Sequence, residues 1–210
     1  MIAVITPKNI GRHLNAIAEM HRLRYRVFHA RLGWEVETSG DMEVDNYDAL
    51  SPVYLTHSAE DGVVDGCVRL LPTTGPYMLQ NTFPILAGDS AIPSHHLIWE
   101  ASRFAVDTTA ENQRNRAGLT SATSKLIAGV AEYGLSIGLT RVVAVVDLRM
   151  ERILRLAGWP LARMAAPRQI GVTKAVAGVL EVSRPVLDNI RRQSGLIGSV
   201  IENEEVRWAA

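Results

Sequence analysis

Three arginines and three acids stand in this chain where packing alone does not ask for them. Arg24 lies on the same helical stripe as Met20, Val27 and Phe28, and Arg69 interrupts the strand-like run Cys67-Val68-Arg69-Leu70-Leu71. Glu100 and Arg103 sit within Ile98-Trp99-Glu100-Ala101-Ser102-Arg103-Phe104, among aromatic and small residues. A guanidinium drawn under an apolar stripe must find an anion, because an unpaired buried charge is costly. Asp45 and Asp48 supply carboxylates from a polar segment with no evident packing role. Charged groups set in this way are candidates for a functional site.

Taken singly, each residue also has a plain structural reading. Arg24 can extend its head to water over Phe28 while the aspartates cap turns. Arg69 can face outward on an edge strand, and Glu100 with Arg103 can be an ion pair. Trp34, just after Gly33, can anchor a core. In a regular strand, residues three apart point to opposite faces. Glu100 and Arg103 therefore serve different sites unless a bulge between them re-aims one. His95 and His96, as neighbours in an extended segment, point apart and make no metal pair. Arg114-Asn115-Arg116-Ala117-Gly118 precedes a helix, a place that suits an anion, although two arginines and a glycine there are common.

The elements that must position these residues follow from periodicity. Ile2–Ile5 reads as a strand and 14–28 as a helix with its apolar residues on one stripe. After a polar stretch over 35–49, strands at 53–58 and 63–71 are joined through Asp61-Gly62 as a hairpin. Pro72-Thr73-Thr74-Gly75-Pro76 breaks the chain, and 97–106 returns as a strand. Leu119, Ala122, Leu126, Val130 and Tyr133 recur at helical spacing, predicting a long helix over 116–137 that ends near Gly138. The β-branched run 141–146 reads as a central strand, followed by a short helix over 150–156 stopped by Gly158. A strand over 176–182 and a helix over 186–192 close the pattern. Strands lead and helices alternate with strands later, which predicts one α/β (α+β) domain over residues 1–210, a mixed sheet with helices packed on it.

Composition narrows the function. With 22 basic against 22 acidic residues, the chain has no excess of positive charge for a phosphate backbone, so nucleic acid is not expected as a partner. A single cysteine, Cys67, excludes an internal disulfide and a thiolate zinc site and fits a reducing cytoplasm. No run approaches the length of a membrane helix, and residues 1–7 lack the pattern of a secretory leader.

Taken together, Arg24-x-x-x-Phe28, Trp34, Asp45-x-x-Asp48, Arg69 and Glu100-x-x-Arg103 resemble the acyl-homoserine-lactone synthases, the LuxI-type autoinducer synthases of bacterial quorum sensing. The flanking Leu32-Gly33-Trp34, Pro52-Val53-Tyr54-Leu55 and Arg69-Leu70-Leu71-Pro72-Thr73-Thr74-Gly75 are similar to the family too. The likeness is strongest over 23–106 and thins beyond Gly138.

The resemblance implies a twisted mixed sheet with helices on both faces, like the GNAT-type N-acetyltransferases. It implies two substrates, S-adenosylmethionine and a fatty acyl thioester carried by acyl carrier protein or coenzyme A, with no metal and no cofactor. Arg24, Phe28, Trp34, Asp45, Asp48, Arg69 and Arg103 would form the adenosylmethionine pocket, with Glu100 as base and Arg103 beside it. Ser102 and Phe104 would receive the thioester arm, and Met78, Phe83 and Ala144 would line the acyl chain. Ala144 carries no hydroxyl where many makers of 3-oxo products have Thr or Ser, which tilts the expectation toward an unsubstituted chain. Two rivals remain: an ordinary N-acetyltransferase using acetyl-CoA and a small amine, and a binding protein that has lost the reaction. Arg149, Arg152 and Arg155 form either a docking face for an acidic carrier or an ordinary solvated helix face.

Overall fold

The computed structural model describes residues 1–59, 62–108, 115 and 118–202. Ten strands and five α-helices follow one another as β1 (Ile2–Ile5), α1 (Leu14–Arg24), β2 (Thr38–Ser39), β3 (Met42–Glu43), β4 (Val53–Ser58), β5 (Val64–Pro72), α2 (Met78–Asn81), β6 (Ile98–Val106), α3 (Ser121–Ser136), β7 (Arg141–Asp147), α4 (Leu148–Leu156), β8 (Ala162–Arg163), β9 (Arg168–Ile170), β10 (Thr173–Glu181) and α5 (Arg184–Ser194). One sheet runs in the order β1-β4-β5-β6-β7-β10-β8, with β9 also on β10. Its pairs are antiparallel except β6–β7, which run parallel. The sheet is thus mixed, as the sequence pattern predicts.

Alternation along β4, β5 and β6 divides the interior into two faces. Leu55, Val68, Leu70, Val106 and Val142 turn to one face, where Leu126, Ile127 and Val130 of α3 and Leu187 and Ile190 of α5 cover them. Tyr54, Cys67 and Ala105 turn to the other and meet Met20, Leu23, Val27 and Phe28. Further along that second face, Val143, Ala175 and Ala177 pack under Tyr77, Leu79 and Leu86. Helices therefore lie on both faces.

Differences from the sequence expectations have local causes. The helix expected over 14–28 stays α-helical only to Arg24 and then widens into a π-helical stretch, Tyr25–Arg31. The buried stripe survives this change, since Val27 and Phe28 remain covered. The helix expected from residue 116 begins at Ser121, because the Thr120 side chain accepts the Thr123 N–H and fixes the start there. Asp147 does the same for α4 by accepting from Met150 N, so that helix starts at Leu148 instead of 150. Gly158 ends it with φ 83°, a conformation favouring glycine. The short strands β2, β3, β8 and β9 and the helix α2 are too brief to leave a period in the sequence. In the β4–β5 hairpin, Ala59 N–H donates to Val63 O at 2.9 Å and Gly62 has φ 83°, while Asp61 lies outside the described residues.

Candidate active site

The site is built where β5 and β6 fall out of register. Cys67 pairs with Ala105 and Arg69 with Ser102, so two steps along β5 match three along β6. The extra residue falls in the stretch holding Arg103, whose φ of 55° is left-handed, a cost that a residue other than glycine bears only when its surroundings hold it. The consequence is directional. Phe104 packs with the α3 face, whereas Ala105 packs with Phe28. Arg103 and Glu100 both reach the α1 face, Arg103 to Glu43 and Glu100 to the start of α2. A bulge thus puts Glu100, Ser102 and Arg103 on one face, which a regular strand would forbid.

On that face three guanidinium groups and three carboxylates close on one another. Arg24 forks onto both oxygens of Asp48 at 2.8 and 2.9 Å, and its Nε donates to Glu43. Arg69 donates to both oxygens of Asp45, to Asp48 at 2.8 Å and, through Nε, to Ser102 Oγ at 3.1 Å. Arg103 bonds Glu43 Oε1 through Nε at 2.9 Å and pairs with Asp45 at 2.7 Å. Tyr54 adds a phenol O–H to Asp48 at 2.7 Å. Bidentate, charge-assisted contacts of this kind are the strongest hydrogen bonds available to a protein.

The loop aspartates earn their position twice over. Asp45 caps the 3₁₀ turn Asn46–Leu50, accepting from Tyr47 N at 2.9 Å, and Asp48 accepts from Asp45 N at 2.8 Å. Turn-capping and charge-pairing are one arrangement here, not competing readings. Burial alone would raise the Asp48 pKa, but the hydrogen bonds and charge of Arg24, with the charge of Arg69, hold it far below the ordinary carboxylate range. For Arg24 burial opposes the charge, and Asp48 and Glu43 more than offset it, so its pKa rises. The Tyr54 phenol is pushed up by burial and by Asp48.

Phe28 and Trp34 lie beside the charged cluster. Phe28 and Trp34 stack with centroids 5.3 Å apart and 7° between planes, and the Arg103 guanidinium lies 5.7 Å from the Phe28 centroid. Phe28 is buried while Trp34 is half-buried, lining an open recess of about 370 Å³ with His29, Gly33, Glu35 and Val36.

Glu100 is fully buried. Its two oxygens accept the backbone N–H groups of Met78 at 2.9 Å and Leu79 at 2.7 Å. Burial pushes its pKa up to about 7, against the restraint of those two N–H groups and of Arg69 and Arg103. Beside it the sheet parts: β6 pairs with β7 only from Ile98↔Arg141 to Ala101↔Ala144, and residues beyond Ala101 in β6 pair with β5 alone. Ser102 stands at the mouth of this notch. The positions expected on the acyl side divide across it. Met78, whose sulfur lies 3.3 Å from Arg69 Nη2 and 3.4 Å from Arg103 Nη1, belongs to the charged face, and Phe83 packs farther along it. Phe104 packs on the α3 face, and Ala144, two residues from Val142, shares that side.

Two partners escaped the sequence reading. Glu43, fully buried, bridges Arg24 and Arg103, and Tyr54 reaches Asp48. Charge balance was the available signal for Glu43: with Glu100 engaged elsewhere, Arg24, Arg69 and Arg103 against Asp45 and Asp48 lack one acid. His95 and His96 do not point apart as expected; they lie outside any strand and their rings stack at 4.3 Å. Arg114 and Arg116 of the expected anion loop lie outside the described residues. Arg149, Arg152 and Arg155 are exposed on α4. Among the described residues no three His, Cys, Asp or Glu side chains gather as a metal site, and no helix is long and apolar enough to cross a membrane.

Comparison with known proteins bears on the family and the fold. The family model described as autoinducer synthase matches residues 9–190. An acyl-homoserine-lactone synthase of Agrobacterium fabrum is 41% identical over 189 residues, 90% of each chain. A solved CoA-dependent acyl-homoserine lactone synthase, BjaI, with SAM and isopentyl-CoA, is 30% identical with a TM-score of 0.84, covering 96% of this chain and 92% of that one. A Lactobacillus plantarum protein assigned as an N-acetyltransferase shares the fold alone, at 13% identity and a TM-score of 0.54 over 87% of this chain and 99% of that one. The chain belongs to the autoinducer synthase family, a class of acyltransferases built on an N-acetyltransferase-like sheet. Its activity is acyl-homoserine-lactone synthesis, and the reading as an ordinary N-acetyltransferase is set aside.

Proposed function

We propose that the charged face of the sheet binds S-adenosylmethionine, that the notch between β6 and β7 admits an acyl thioester, and that Glu100 serves as the base between them. The bulge at Arg103 carries this reading, because it aims a base and a substrate-binding cation at the same space. Arg24, Arg69 and Glu43 have no exposed surface and hold the pocket from behind. Arg103, with 14% of its side chain exposed, Asp45 with 9% and Asp48 with 7% form its wall, and the open side of Trp34 meets the sulfonium.

In the first step the adenosylmethionine amine attacks the thioester carbonyl, the carbon–sulfur bond breaks, and an amide and a free thiol result. The amine must lose a proton, and a carboxylate with a pKa of about 7 is poised to take it near neutral pH. Each Glu100 oxygen is already held by a backbone N–H, so its orientation is fixed and a second lone pair on each remains to accept the proton through a water. In the second step the substrate carboxylate attacks the carbon bonded to the sulfonium within the same molecule. The lactone closes and methylthioadenosine leaves, a displacement driven by proximity. Both steps balance without a redox or metal cofactor. Ser102 and Phe104 guide the thioester arm, and Met78, Phe83 and Ala144 flank the chain on the two sides of the notch.

The donor is an acyl carrier protein or an acyl-CoA, and the chain acts as one domain in the cytoplasm, where these metabolites are made. The test is release of methylthioadenosine from S-adenosylmethionine by the purified protein, dependent on an acyl thioester. Thiol release from acetyl-CoA with an amine acceptor, and no methylthioadenosine with any acyl chain, would overturn it.

A further inference from the structure

Glu43 is the least conspicuous of the cluster acids in the sequence and the most enclosed in the fold. It ends β3, a two-residue strand, and none of its surface is exposed. One carboxylate oxygen takes Arg24 Nε, the other takes Arg103 Nε at 2.9 Å, and its backbone carbonyl is 2.8 Å from His21 Nδ1. A single residue thus ties the buried side of α1 to the bulge of β6.

That connection bears on Arg103 for two reasons. Arg103 holds a left-handed backbone that no glycine relieves, so its side-chain contacts must keep it there. Its guanidinium is oriented by Nε on Glu43, Nη2 on Asp45 and Nη1 near the Met78 sulfur. Of these, the Nε contact is nearest the chain and sets the plane of the fork. Arg24 and Arg69 are locked by forked contacts to Asp48 and Asp45 that do not involve Glu43. Arg103 has no second carboxylate of its own, because Asp45 is shared with Arg69.

We propose that Glu43 is a positioning residue for adenosylmethionine binding: its carboxylate sets the plane in which Arg103 presents its remaining N–H groups to the substrate carboxylate. Glu43 touches neither substrate and acts through Arg103. The inference rests on the charged face being the adenosylmethionine site. Arg24, Arg103 and His21 contact Glu43 and the buried Cys67 thiol lies within reach of its charge; His21 has its pKa lowered by burial and by Arg24, which keeps it from competing as a cation.

The experiment compares wild type with Glu43→Gln, which keeps the shape and loses the charge, and Glu43→Asp, which keeps the charge and draws it back. Calorimetric titration with S-adenosylmethionine alone, and KM for each substrate, are measured alongside unfolding midpoints. Glu43→Gln is expected to weaken adenosylmethionine binding about ten- to a hundredfold, the worth of one charge-assisted hydrogen bond, with KM for the acyl thioester changed less than about twofold. Glu43→Asp should recover part of that loss. Equal rises in both KM values, or a lower midpoint with unchanged adenosylmethionine affinity, would overturn the proposal, as would failure of both variants to fold. Wild type that binds no S-adenosylmethionine would instead sink the functional reading beneath it.

Discussion

The two faces of the central strands use the same backbone for opposite ends. On the α3 side, Leu55, Val68 and Leu70 meet Leu126 and Val130 in an apolar contact. On the α1 side, the alternate residues Tyr54 and Arg69 join a closed network of three arginines and three acids. The first face gains from burial in proportion to apolar area. The second gains little net stability from its buried ions, because desolvation offsets much of their attraction. What it gains is direction, with each guanidinium fixed in one plane. One face holds the protein together, and the other fixes the directions of its charged side chains.

Substitutions can test that division. Glu100→Gln should lower kcat by about 10²- to 10⁴-fold, the usual worth of a general base, while the variant still folds. The wild-type rate should rise with pH through about 7 as Glu100 ionises, and this limb should vanish in the variant. Stability has the opposite sign. The folded pKa lies above the unfolded one of 4.5, so the folded state binds more protons between the two values. Wild type should therefore lose on the order of 3 kcal/mol as pH rises from 4.5 through about 7, and denaturant unfolding of Glu100→Gln should show a flatter profile.

Arg24→Met should cost about 3–5 kcal/mol in urea unfolding, because it strands Glu43 and Asp48 without their main cation. Leu126→Ala should cost about 2–5 kcal/mol through the cavity it leaves, yet keep KM for S-adenosylmethionine within about twofold of wild type once folded. If Leu126→Ala moved that KM as much as Glu43→Gln is expected to, the two faces would not be separable.

The sequence alone delivered most of the strands that carry the sheet. The expected strand over 53–58 matches β4, and that over 141–146 falls within β7. Their alternating or β-branched patterns report a pleat buried on one or both faces. The helix α3 was legible for the same reason, from apolar residues on one stripe. The residues of the charged face were legible too, because a buried arginine or a lone acid in an apolar run is conspicuous. Their joint spacing also named the family before any coordinate did.

Only the tertiary structure decided how those residues meet. Period-two alternation left Glu100 and Arg103 on opposite faces unless a bulge came between them, and the extra residue at Arg103, with φ 55°, is that bulge, a feature no periodicity records. Glu43 acquired its importance from enclosure between α1 and β6, contacts made across 19 and 60 positions of chain. The Glu100 pKa near 7 depends on burial and on two N–H groups from α2, a four-residue helix too short to announce itself. Residue types and local periods are properties of the chain itself, so the sequence determined them. Direction, enclosure and proton affinity depend on what packs alongside, so they belong to the fold.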